Sequence, residues 1–428
     1  MAFRAVKGMN DILPDEVQRW QQVEAVFRET VRLYGYSEVR TPIVEPTSLF
    51  VRSIGENTDV VDKEMYTFER HDDSLTLRPE GTAGAVRAYV ERTVYAKEPV
   101  SRWYYLGPMF RAERPQRGRY RQFYQAGCEV YGDKGPNSDA EMISMLVGFF
   151  HQLGIDGLEV KINSLGGTDT RKLYHEALKE YFRPYAESLS AHAQGRLEVN
   201  PLRILDSKDP KDQEISRGAP SILNVMDAPD REHFEALCSN LQALGTPFRI
   251  DGRLVRGLDY YTRTLFEISS TAGELGTQNA LVGGGRYDNL VHELGGPQVP
   301  AIGFALGIER LLLAIAQQPV SASPVCFFAP LGNPAAQRSL ILARDLRQQG
   351  FVAEVDGRGG SLKSLLRRAD AIGARCAVVI GDSELANDSA ILKDLTRHTQ
   401  ESVTLSALSD AIRKLLTESN TLSPGELI

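Results

Sequence analysis

The segment FRAERPQRGRYRQFYQAGCE (110–129) holds the residues whose types and spacing are best suited to chemistry. Five arginines and one glutamate fall within eleven consecutive positions of it. Guanidinium groups keep their charge and present two parallel donors to phosphate oxygens. Because alternate side chains of an extended strand share a face, one face would carry Arg121, Phe123, Gln125, Gly127 and Glu129. The segment predicts a site for phosphates beside a small polar ligand, with a solvated arginine-rich hairpin as the alternative.

A second candidate is the turn TLRPEGT (76–82), which leads into the predicted helix TAGAVRAYVERTVY. Glu80 and Thr82 stand at the mouth of that helix, where a carboxylate could accept hydrogen bonds from the ammonium group of a ligand. The alternative is structural, with Thr82 as the N-cap and Glu80 as an acid that the helix dipole favours.

Three further motifs are weaker on their own. LVRGLDYYTRT combines Arg256 and Asp259 with Tyr260 and Tyr261. Tyrosines pack well against flat ligands, but paired tyrosines also occur in ordinary cores. GGGRYDNL supplies glycines where the backbone must approach something closely. Arg310 falls in the first turn of a predicted helix, so its charge and the helix N-terminus could act together on an anion.

The hydrophobic pattern predicts the elements that must position these residues. Residues 15–34 read as an amphipathic helix, and YSEVRTPIVEP reads as a strand whose prolines mark an edge or a break. Three more extended segments are predicted at 75–77, 103–112 and 120–132, the last two as an antiparallel hairpin. The sheet is expected to resume at Leu254 and to end in AIGFALGIERLLLAI.

Two other regions differ from this sheet. Residues 168–248 are helical and polar, which indicates an inserted helical domain. Residues 317–324 (QQPVSASP) read as a linker, after which strands and helices alternate as in a small α/β domain with a mostly parallel sheet. Within it, GRGGSLKS lacks the Gly-Lys-Ser/Thr order of a Walker A motif. We interpret it as a turn before a helix, and a phosphate contact is the less favoured alternative.

Composition excludes several classes of protein. The 428 residues, 42% hydrophobic and 25% charged, fit a globular chain of about three domains and exclude a disordered, collagen-like or coiled-coil protein. The four scattered cysteines argue against a disulfide framework or a paired-cysteine zinc site and favour a reducing cytosol. We expect no signal peptide, because the first fifteen residues (MAFRAVKGMNDILPD) contain no apolar h-region. We also expect no membrane span, since the longest apolar stretch is interrupted by Glu309 and Arg310.

The charge distribution bears on nucleic-acid binding. Lysines and arginines number 49 against 56 aspartates and glutamates, a net charge of −7. From Pro324 to the C-terminus there are 12 basic and 12 acidic residues, so the whole net negative charge comes from the first 323 residues. A local positive cluster in an acidic body predicts a site for phosphates, whereas a DNA-binding face would spread its positive charge.

Five of these segments, in this order, resemble the motifs of the bacterial type of histidyl-tRNA synthetases, a family of class II aminoacyl-tRNA synthetases. YSEVRTPIVEP is similar to motif 1, the arginine-rich hairpin to motif 2 and GFALGIERL to motif 3. LVRGLDYYTRTLFE and LVGGGRYDNL resemble the two histidine-specific signatures. The opening KGMNDILPDE and the C-terminal module are similar as well, so the resemblance covers essentially the whole chain.

The resemblance implies an α+β fold. A class II catalytic domain with an antiparallel sheet would occupy residues 1–167 and 249–320, with a helical insertion at 168–248. A C-terminal α/β anticodon-binding domain would occupy 325–420. The implied activity is that of a histidine–tRNA ligase, which activates L-histidine with ATP to histidyl-adenylate and transfers it to tRNA(His). The family further implies a homodimer in the cytoplasm, Mg²⁺ accompanying ATP, no metal held by the protein alone, and no membrane or DNA partner.

The resemblance also assigns roles to particular residues. Histidine binding falls to Glu80, Thr82, Arg111, Gln125, Glu129, Arg256, Tyr260 and Tyr261. ATP binding falls to Arg111, Glu113, Arg119 and Arg310. Arg256 and Arg111 would be catalytic, and Arg256 occupies the position at which related synthetases place a metal ion. Gln116 resembles a position that approaches the acceptor end of the tRNA.

Three alternatives remain open at this stage. A synthetase-like regulatory subunit of histidine biosynthesis would bind histidine without charging tRNA, but it usually lacks the C-terminal module. A non-catalytic tRNA-binding sensor would tolerate the loss of Arg111, Arg256 and Arg310, all of which are present. A synthetase for another amino acid is the third, and the RGLDYY signature argues against it.

Overall fold

The computed structural model describes residues 3–55, 58, 60–205, 207, 209–255, 257–273, 275, 279–315 and 325–417. The chain divides into two compact units, Met1–Gln318 and Pro319–Ile428. The predicted linker at 317–324 lies outside the described residues. Each unit is described by itself.

The strands of the first unit belong to two sheets. In chain order they are β1 (Ser37–Glu38), β2 (Val44–Pro46), β3 (Tyr66–Arg70), β4 (Asp73–Leu77), β5 (Ser101–Phe110), β6 (Gln122–Tyr131), β7 (Leu158–Ser164), β8 (Arg249–Ile250), β9 (Thr262–Ser270), β10 (Ala280–Arg286) and β11 (Ala301–Gly307). The large sheet has the order β1-β5-β6-β11-β10-β9-β7-β8, and the small one β2-β4-β3.

The helices of the first unit surround the large sheet. They are α1 (Pro14–Leu33), α2 (Thr47–Ile54), α3 (Thr82–Glu91), α4 (Pro136–Gln152), α5 (Thr168–Phe182), α6 (Ala191–Arg196), α7 (Pro210–Ser216), α8 (Ala228–Ala243), α9 (Leu290–Glu293) and α10 (Ile308–Ala314). Single turns of tighter helix include Pro201–Ile204, between α6 and α7.

The centre of the large sheet is antiparallel, as the sequence predicts. β5 and β6 pair residue by residue from Ser101 opposite Tyr131 to Phe110 opposite Gln122. The remaining central pairs, from β6 through β11, β10 and β9 to β7, are antiparallel too. The short edge strands β1 and β8 pair in parallel, which makes the whole sheet mixed. The predicted motifs on β6, β9, β10 and β11 therefore lie on neighbouring strands.

The continuous strand predicted for YSEVRTPIVEP is wrong. The segment forms β1 at the edge of the large sheet and β2 in the small sheet, with residues 39–43 between them outside any strand. Pro42 has no N–H to donate to a ladder, which accounts for the break. Pro46 closes β2 and is the N-cap of α2.

Two apolar cores flank the large sheet. One contains α1, α4 and α8, with Phe27 of α1 packed edge-on against Phe149 of α4 at 5.7 Å between ring centroids. Leu237 and Leu241 of α8 are fully buried in this core, although α8 falls in the segment predicted to be inserted. The other core joins the inserted helices to the motif strands, since Phe182 and Ile204 belong to the same buried cluster as Tyr287.

The arginine of GGGRYDNL is part of a buried polar network. Arg286 has no solvent exposure and binds Asp139 of α4, with its Nη2 2.7 Å from Oδ1 and its Nε 3.0 Å from Oδ2. It also donates to the carbonyl oxygens of Asp133 and Gly135. Asp139 in turn contacts His233 of α8 at 3.0 Å. Arg286 therefore ties β10 to α4 and, through Asp139, to α8.

The second unit is an α/β domain. Its strands are β12 (Val325–Pro330), β13 (Val352–Val355), β14 (Cys376–Ile380), β15 (Ser389–Asp394) and β16 (Thr399–Thr404). Its helices are α11 (Asn333–Gln348), α12 (Leu362–Ala371), α13 (Asp382–Ala386) and α14 (Leu408–Thr417). The sheet order is β13-β12-β14-β15-β16.

The sheet of the second unit is less parallel than the sequence suggests. β13, β12 and β14 are parallel, but β15 and β16 form an antiparallel hairpin on one side. The four-residue connection in this hairpin is closed by His398, which adopts φ of 54°. Polar side chains cover most of β16, so the pattern lacked the apolar alternation that marks a strand.

Among the described residues, no helix is both long enough and apolar enough to cross a membrane.

Candidate functional site

A cavity of about 580 Å³ opens into the first unit where the motif strands meet. Nine of the residues predicted for the site line it: Glu80, Thr82, Arg111, Glu113, Arg119, Gln125, Tyr260, Tyr261 and Arg310. Glu129 is fully buried beside Thr82, a lining residue, and is bonded to neighbouring tyrosines. Gln116 is not part of the lining; it pairs with Arg119 in the hairpin loop. Arg256 lies outside the described residues.

The turn before α3 is organised by Glu80. Its carboxylate accepts the backbone N–H groups of Thr82 and Ala83, each at 2.7 Å, which are donors that a helix start leaves unpaired. Thr82 is the first residue of α3 and makes no capping bond, so the prediction of Thr82 as N-cap is wrong. Burial raises the pKa of Glu80. Glu80 contributes to the cavity lining, and each of its oxygens keeps acceptor capacity because it carries two lone pairs.

One acceptor in the cavity wall has no partner of its own. Oε1 of Gln125, on β6, is buried and makes no hydrogen bond with any residue that the structure describes. A buried polar atom left unpaired costs about 1–3 kcal/mol. Its place in the cavity lining means that a ligand donor could satisfy it.

Glu129, four residues after Gln125 on β6, accepts a hydrogen bond at each carboxylate oxygen. The hydroxyl of Tyr105 donates to Oε1 at 3.1 Å, and that of Tyr287 donates to Oε2 in a short hydrogen bond. Burial raises the pKa of Glu129 to about 8. The carboxyl group therefore carries a proton over much of the neutral range and can donate or accept a hydrogen bond.

The tyrosine loop, residues 257–261, forms another wall. The rings of Tyr260 and Tyr261 lie 4.7 Å apart at 53° and are almost fully buried. Both pack in the core that contains the inserted helices. Gly257, Leu258 and both tyrosines contribute to the lining. A flat ligand would find ring surfaces and hydroxyl groups on this side.

Guanidinium groups from two distant stretches converge at the cavity. Arg111 donates to the carbonyl oxygen of Pro79 at 2.9 Å and stacks over the ring of Phe123 at 5.4 Å. Arg310 of α10 donates to the carbonyl oxygen of Ala280 at 2.9 Å. Burial lowers the pKa of Arg310, and the nearby charges of Arg119 and Arg111 lower it further. Three like charges within mutual electrostatic reach give this end of the cavity the positive character that a polyanion would require.

Acidic residues border this cationic end. Glu113 accepts a hydrogen bond from Arg119 at 3.2 Å, and Glu113 and Glu267 both raise the pKa of Arg310 against the effect of burial. Glu309 accepts the backbone N–H of Tyr124 at 3.0 Å, and burial raises its pKa to about 7. In the described ranges, no cluster of three or more His, Cys, Asp or Glu side chains could hold a metal ion.

The face predicted from the alternation of β6 is only partly present. Arg121 precedes the strand and donates to the carbonyl oxygens of Glu113 and Lys7, away from the cavity. Other lining residues were not predicted from the sequence: Glu64, Tyr120, His192, Arg196, Arg203, Ser207, Glu267 and Glu309. Four of these belong to the inserted segment, where no motif marked them. Tyr105 and Tyr287 were also missed, although Tyr287 stands in the quoted GGGRYDNL.

Comparison with known proteins accounts for this arrangement. A family model described as histidyl-tRNA synthetase matches residues 8–311, which hold all the residues of the cavity. The chain belongs to the histidyl-tRNA synthetase family. A second family model, described as an anticodon binding domain, matches residues 326–415 in the second unit.

Relatives of this synthetase family agree along nearly the whole chain. A protein of Sorangium cellulosum named histidine–tRNA ligase is 58% identical, covering 95% of this chain and 95% of its own. A histidine–tRNA ligase of Bacillus velezensis is 46% identical over 96% of this chain and 99% of its own. The apo histidyl-tRNA synthetase of S. aureus superposes with a TM-score of 0.82 at 36% identity, covering 96% of this chain and 99% of that one.

Proposed function

We propose that this member of the histidyl-tRNA synthetase family joins L-histidine to tRNA(His) in two steps at the cavity. In the first step, a carboxylate oxygen of histidine attacks the α-phosphorus of ATP, and pyrophosphate leaves. In the second, a hydroxyl of the terminal ribose of the tRNA attacks the carbonyl carbon of histidyl-adenylate, and AMP leaves. The observation that carries this proposal is the meeting of a polyanion site and a small polar pocket in one cavity.

The polar pocket is suited to histidine. Glu80 and Gln125 offer acceptors to the ammonium group, and the unpaired Oε1 of Gln125 is the strongest support. Thr82 adds a hydroxyl beside them. Tyr260 and Tyr261 would enclose the imidazole ring, with Glu129 as the hydrogen-bond partner of a ring nitrogen. A pocket of buried polar groups rejects analogues that cannot pair with them by roughly 10⁴-fold or more.

The cationic end is suited to the triphosphate. Arg111 would bind the α-phosphate and the histidine carboxylate, because its guanidinium lies next to the Glu80 turn. Arg310 and Arg119, with Glu113 beside them, would hold the rest of the nucleotide. Catalysis is then positioning together with fixed positive charge on the reacting phosphate, so no covalent enzyme intermediate is needed.

Magnesium would accompany ATP, since this ion usually binds through substrate phosphates and one or two carboxylates. Glu113 and Glu267 are the carboxylates that fit, because both act on Arg310 at the phosphate end. The ion would neutralise phosphate charge. The residues of this chain would hold histidine and ATP so that the carboxylate oxygen is aligned with the α-phosphorus.

The same proposal divides the chain into functional parts. Residues 1–167 and 249–320 would form the catalytic domain, 168–248 the insertion, and 325–420 the module that reads the anticodon. Gln116, in the loop of the arginine-rich hairpin, would approach the acceptor end of the tRNA. The match of residues 326–415 to an anticodon binding domain supports the proposed contact between the second unit and the tRNA anticodon.

A homodimer in the cytoplasm completes the proposal. Ile43 and Val44, within the segment similar to motif 1, each leave about 40% of their surface exposed in the single chain, as residues at a subunit interface would. We expect light scattering at micromolar protein to give twice the mass of one chain. A monomeric mass would contradict the dimer.

The deciding experiment is amino-acid-dependent ATP–pyrophosphate exchange with each of the twenty amino acids. We expect exchange with histidine alone. Exchange with a different amino acid would overturn the specificity, and histidine binding without exchange would favour a regulatory subunit. Arg256→Ala is the sharpest variant, for which we expect nearly complete loss of exchange with unchanged thermal unfolding. Exchange within about threefold of wild type would remove the role of Arg256.

A further inference from the structure

Asp259, in the tyrosine loop, has no role in the proposed reaction, yet its side chain and backbone make several specific contacts. Its Oδ1 accepts hydrogen bonds from Nη2 of Arg203 at 2.7 Å and from Nδ2 of Asn200 at 3.4 Å. Both partners belong to the inserted segment, at the turn Pro201–Ile204 or next to it. Asp259 does not line the cavity.

The backbone of the tyrosine loop is fastened to the insertion as well. Nη1 of Arg171, on α5, donates to the carbonyl oxygens of Asp259 at 3.2 Å and Tyr261 at 3.1 Å. Burial lowers the pKa of Arg171, and the carboxylate of Asp259 opposes that effect. Two cations of the insertion thus hold both the side chain and the backbone of the loop.

On its other side the loop meets the end of α2. The N–H of Asp259 donates to the carbonyl oxygen of Ile54 at 3.1 Å. Gly55 follows with φ of 102°, and a Cβ there would lie 2.6 Å from Oδ2 of Asp259. Asp259 is therefore enclosed between α2 and the insertion.

We propose that the ion pair of Asp259 with Arg203 is a latch through which the inserted helices set the position of Tyr260 and Tyr261 against histidine. This inference rests on the proposed function. Tyr260 and Tyr261 belong to the same buried apolar cluster as side chains of the insertion, among them Ile204. The Arg203 side chain is 11% exposed and that of Asp259 28%, so water competes only weakly for the pair. In this inference Asp259 and Arg203 are positioning residues that act on histidine through the tyrosine loop, although Arg203 also contributes to the cavity lining.

The test compares Asp259→Asn, Arg203→Ala and the double variant by histidine-dependent pyrophosphate exchange on the full chain. We expect KM for histidine to rise at least tenfold in each single variant, with KM for ATP within about threefold. The double variant should match the single variants, because contacting residues in one latch are not additive. Arg203→Lys, which keeps the charge, should recover most of the affinity.

A matched control is Arg102→Gln, which breaks a half-buried ion pair between β5 and Glu141 of α4 that lines no part of the cavity. We expect it to leave KM for histidine unchanged. Unchanged KM in Asp259→Asn with only a lower unfolding temperature would overturn the inference. Additive losses in the double variant would also overturn it, since Arg203 would then act on a substrate directly. Absence of exchange in the wild type would instead refute the proposed function.

Discussion

The hydroxyl of Tyr105 donates to Oε1 of Glu129 at 3.1 Å and lies 3.4 Å from Oγ1 of Thr82. One phenol on β5 thus joins the turn that would hold the ammonium group of histidine to the carboxyl group that would bind its ring. Tyr105 is 4% exposed, so both contacts are sheltered from water. The spacing between the two ends of the amino-acid pocket depends on this side chain.

Removal of that hydroxyl should weaken histidine binding. Tyr105→Phe keeps the ring and loses the bridge, which is worth about 1–2 kcal/mol for a buried hydrogen bond. We expect KM for histidine to rise about tenfold, with KM for ATP nearly unchanged, in pyrophosphate exchange. Tyr104→Phe is the matched control, because the Tyr104 hydroxyl faces Glu38 on the opposite side of the strand. Equal effects of the two substitutions would contradict the bridge.

The ring of Tyr105 also limits what its neighbours can be. A Cβ on Gly127 would lie 2.5 Å from the phenol and 2.7 Å from the carbonyl oxygen of Phe304. We expect Gly127→Ala to reduce the free energy of unfolding by about 1–3 kcal/mol through overpacking and to raise KM for histidine. Gly148→Ala, where a Cβ meets nothing within 4 Å on α4, should be neutral or slightly stabilising in denaturant titration. A stable, fully active Gly127→Ala would show that the phenol is free to move.

The raised pKa of Glu129 predicts how stability depends on pH. Its folded pKa of about 8 exceeds the ordinary value of 4.5, so the native state holds a proton that the unfolded chain releases between these values. Its contribution to stability is complete below about pH 4.5 and is lost as pH rises toward 8. Glu129→Gln imitates the protonated form, so its stability relative to wild type should be greater at pH 9 than at pH 5. Denaturant titration at both values measures this, and an equal difference at the two would contradict it.

Substitution of Arg310 should lower the rate of the reaction with ATP more than the stability of the fold. Loss of one fixed charge at a reacting phosphate typically lowers the rate by about 10²–10³, and we expect Arg310→Ala to do so in pyrophosphate exchange, with histidine binding retained. Arg19→Ala is the control, because Arg19 donates to the carbonyl oxygen of Leu312 on the same helix at 2.9 Å. It should lower the unfolding temperature and leave KM for ATP within about threefold. Equal losses of exchange in both variants would assign Arg310 to helix anchoring.

Local patterns predicted much of this architecture. The hairpin of β5 and β6 was visible because long extended segments flank a polar loop. Arg310 was placed correctly in the first turn of α10, because Gly307 separates a strand from an apolar helix. Nine predicted residues then lined one cavity although they come from separate stretches of chain.

The errors have two physical causes: a local hydrogen bond that replaced the expected one, and contacts between distant elements that no local pattern shows. Thr82 looked like an N-cap, yet the carboxylate of Glu80 reaches both free N–H groups first. The alternation of the sequence placed Arg121 on the same strand face as Gln125, but its side chain instead donates to the carbonyl oxygens of Glu113 and Lys7. Tyr105 belongs to no motif, and its importance emerges only when the sheet brings it beside Glu129.

Arg286 stands three residues after Gly283, inside a histidine-specific signature, and any survey of inactivating substitutions would place it among the functional arginines of the enzyme. Its guanidinium never meets solvent and is wholly occupied by Asp139 and the carbonyl oxygens around it. A variant without this arginine would yield fewer folded molecules, but those that folded would have normal turnover. Activity should therefore be normalised to native protein before this arginine is assigned to chemistry.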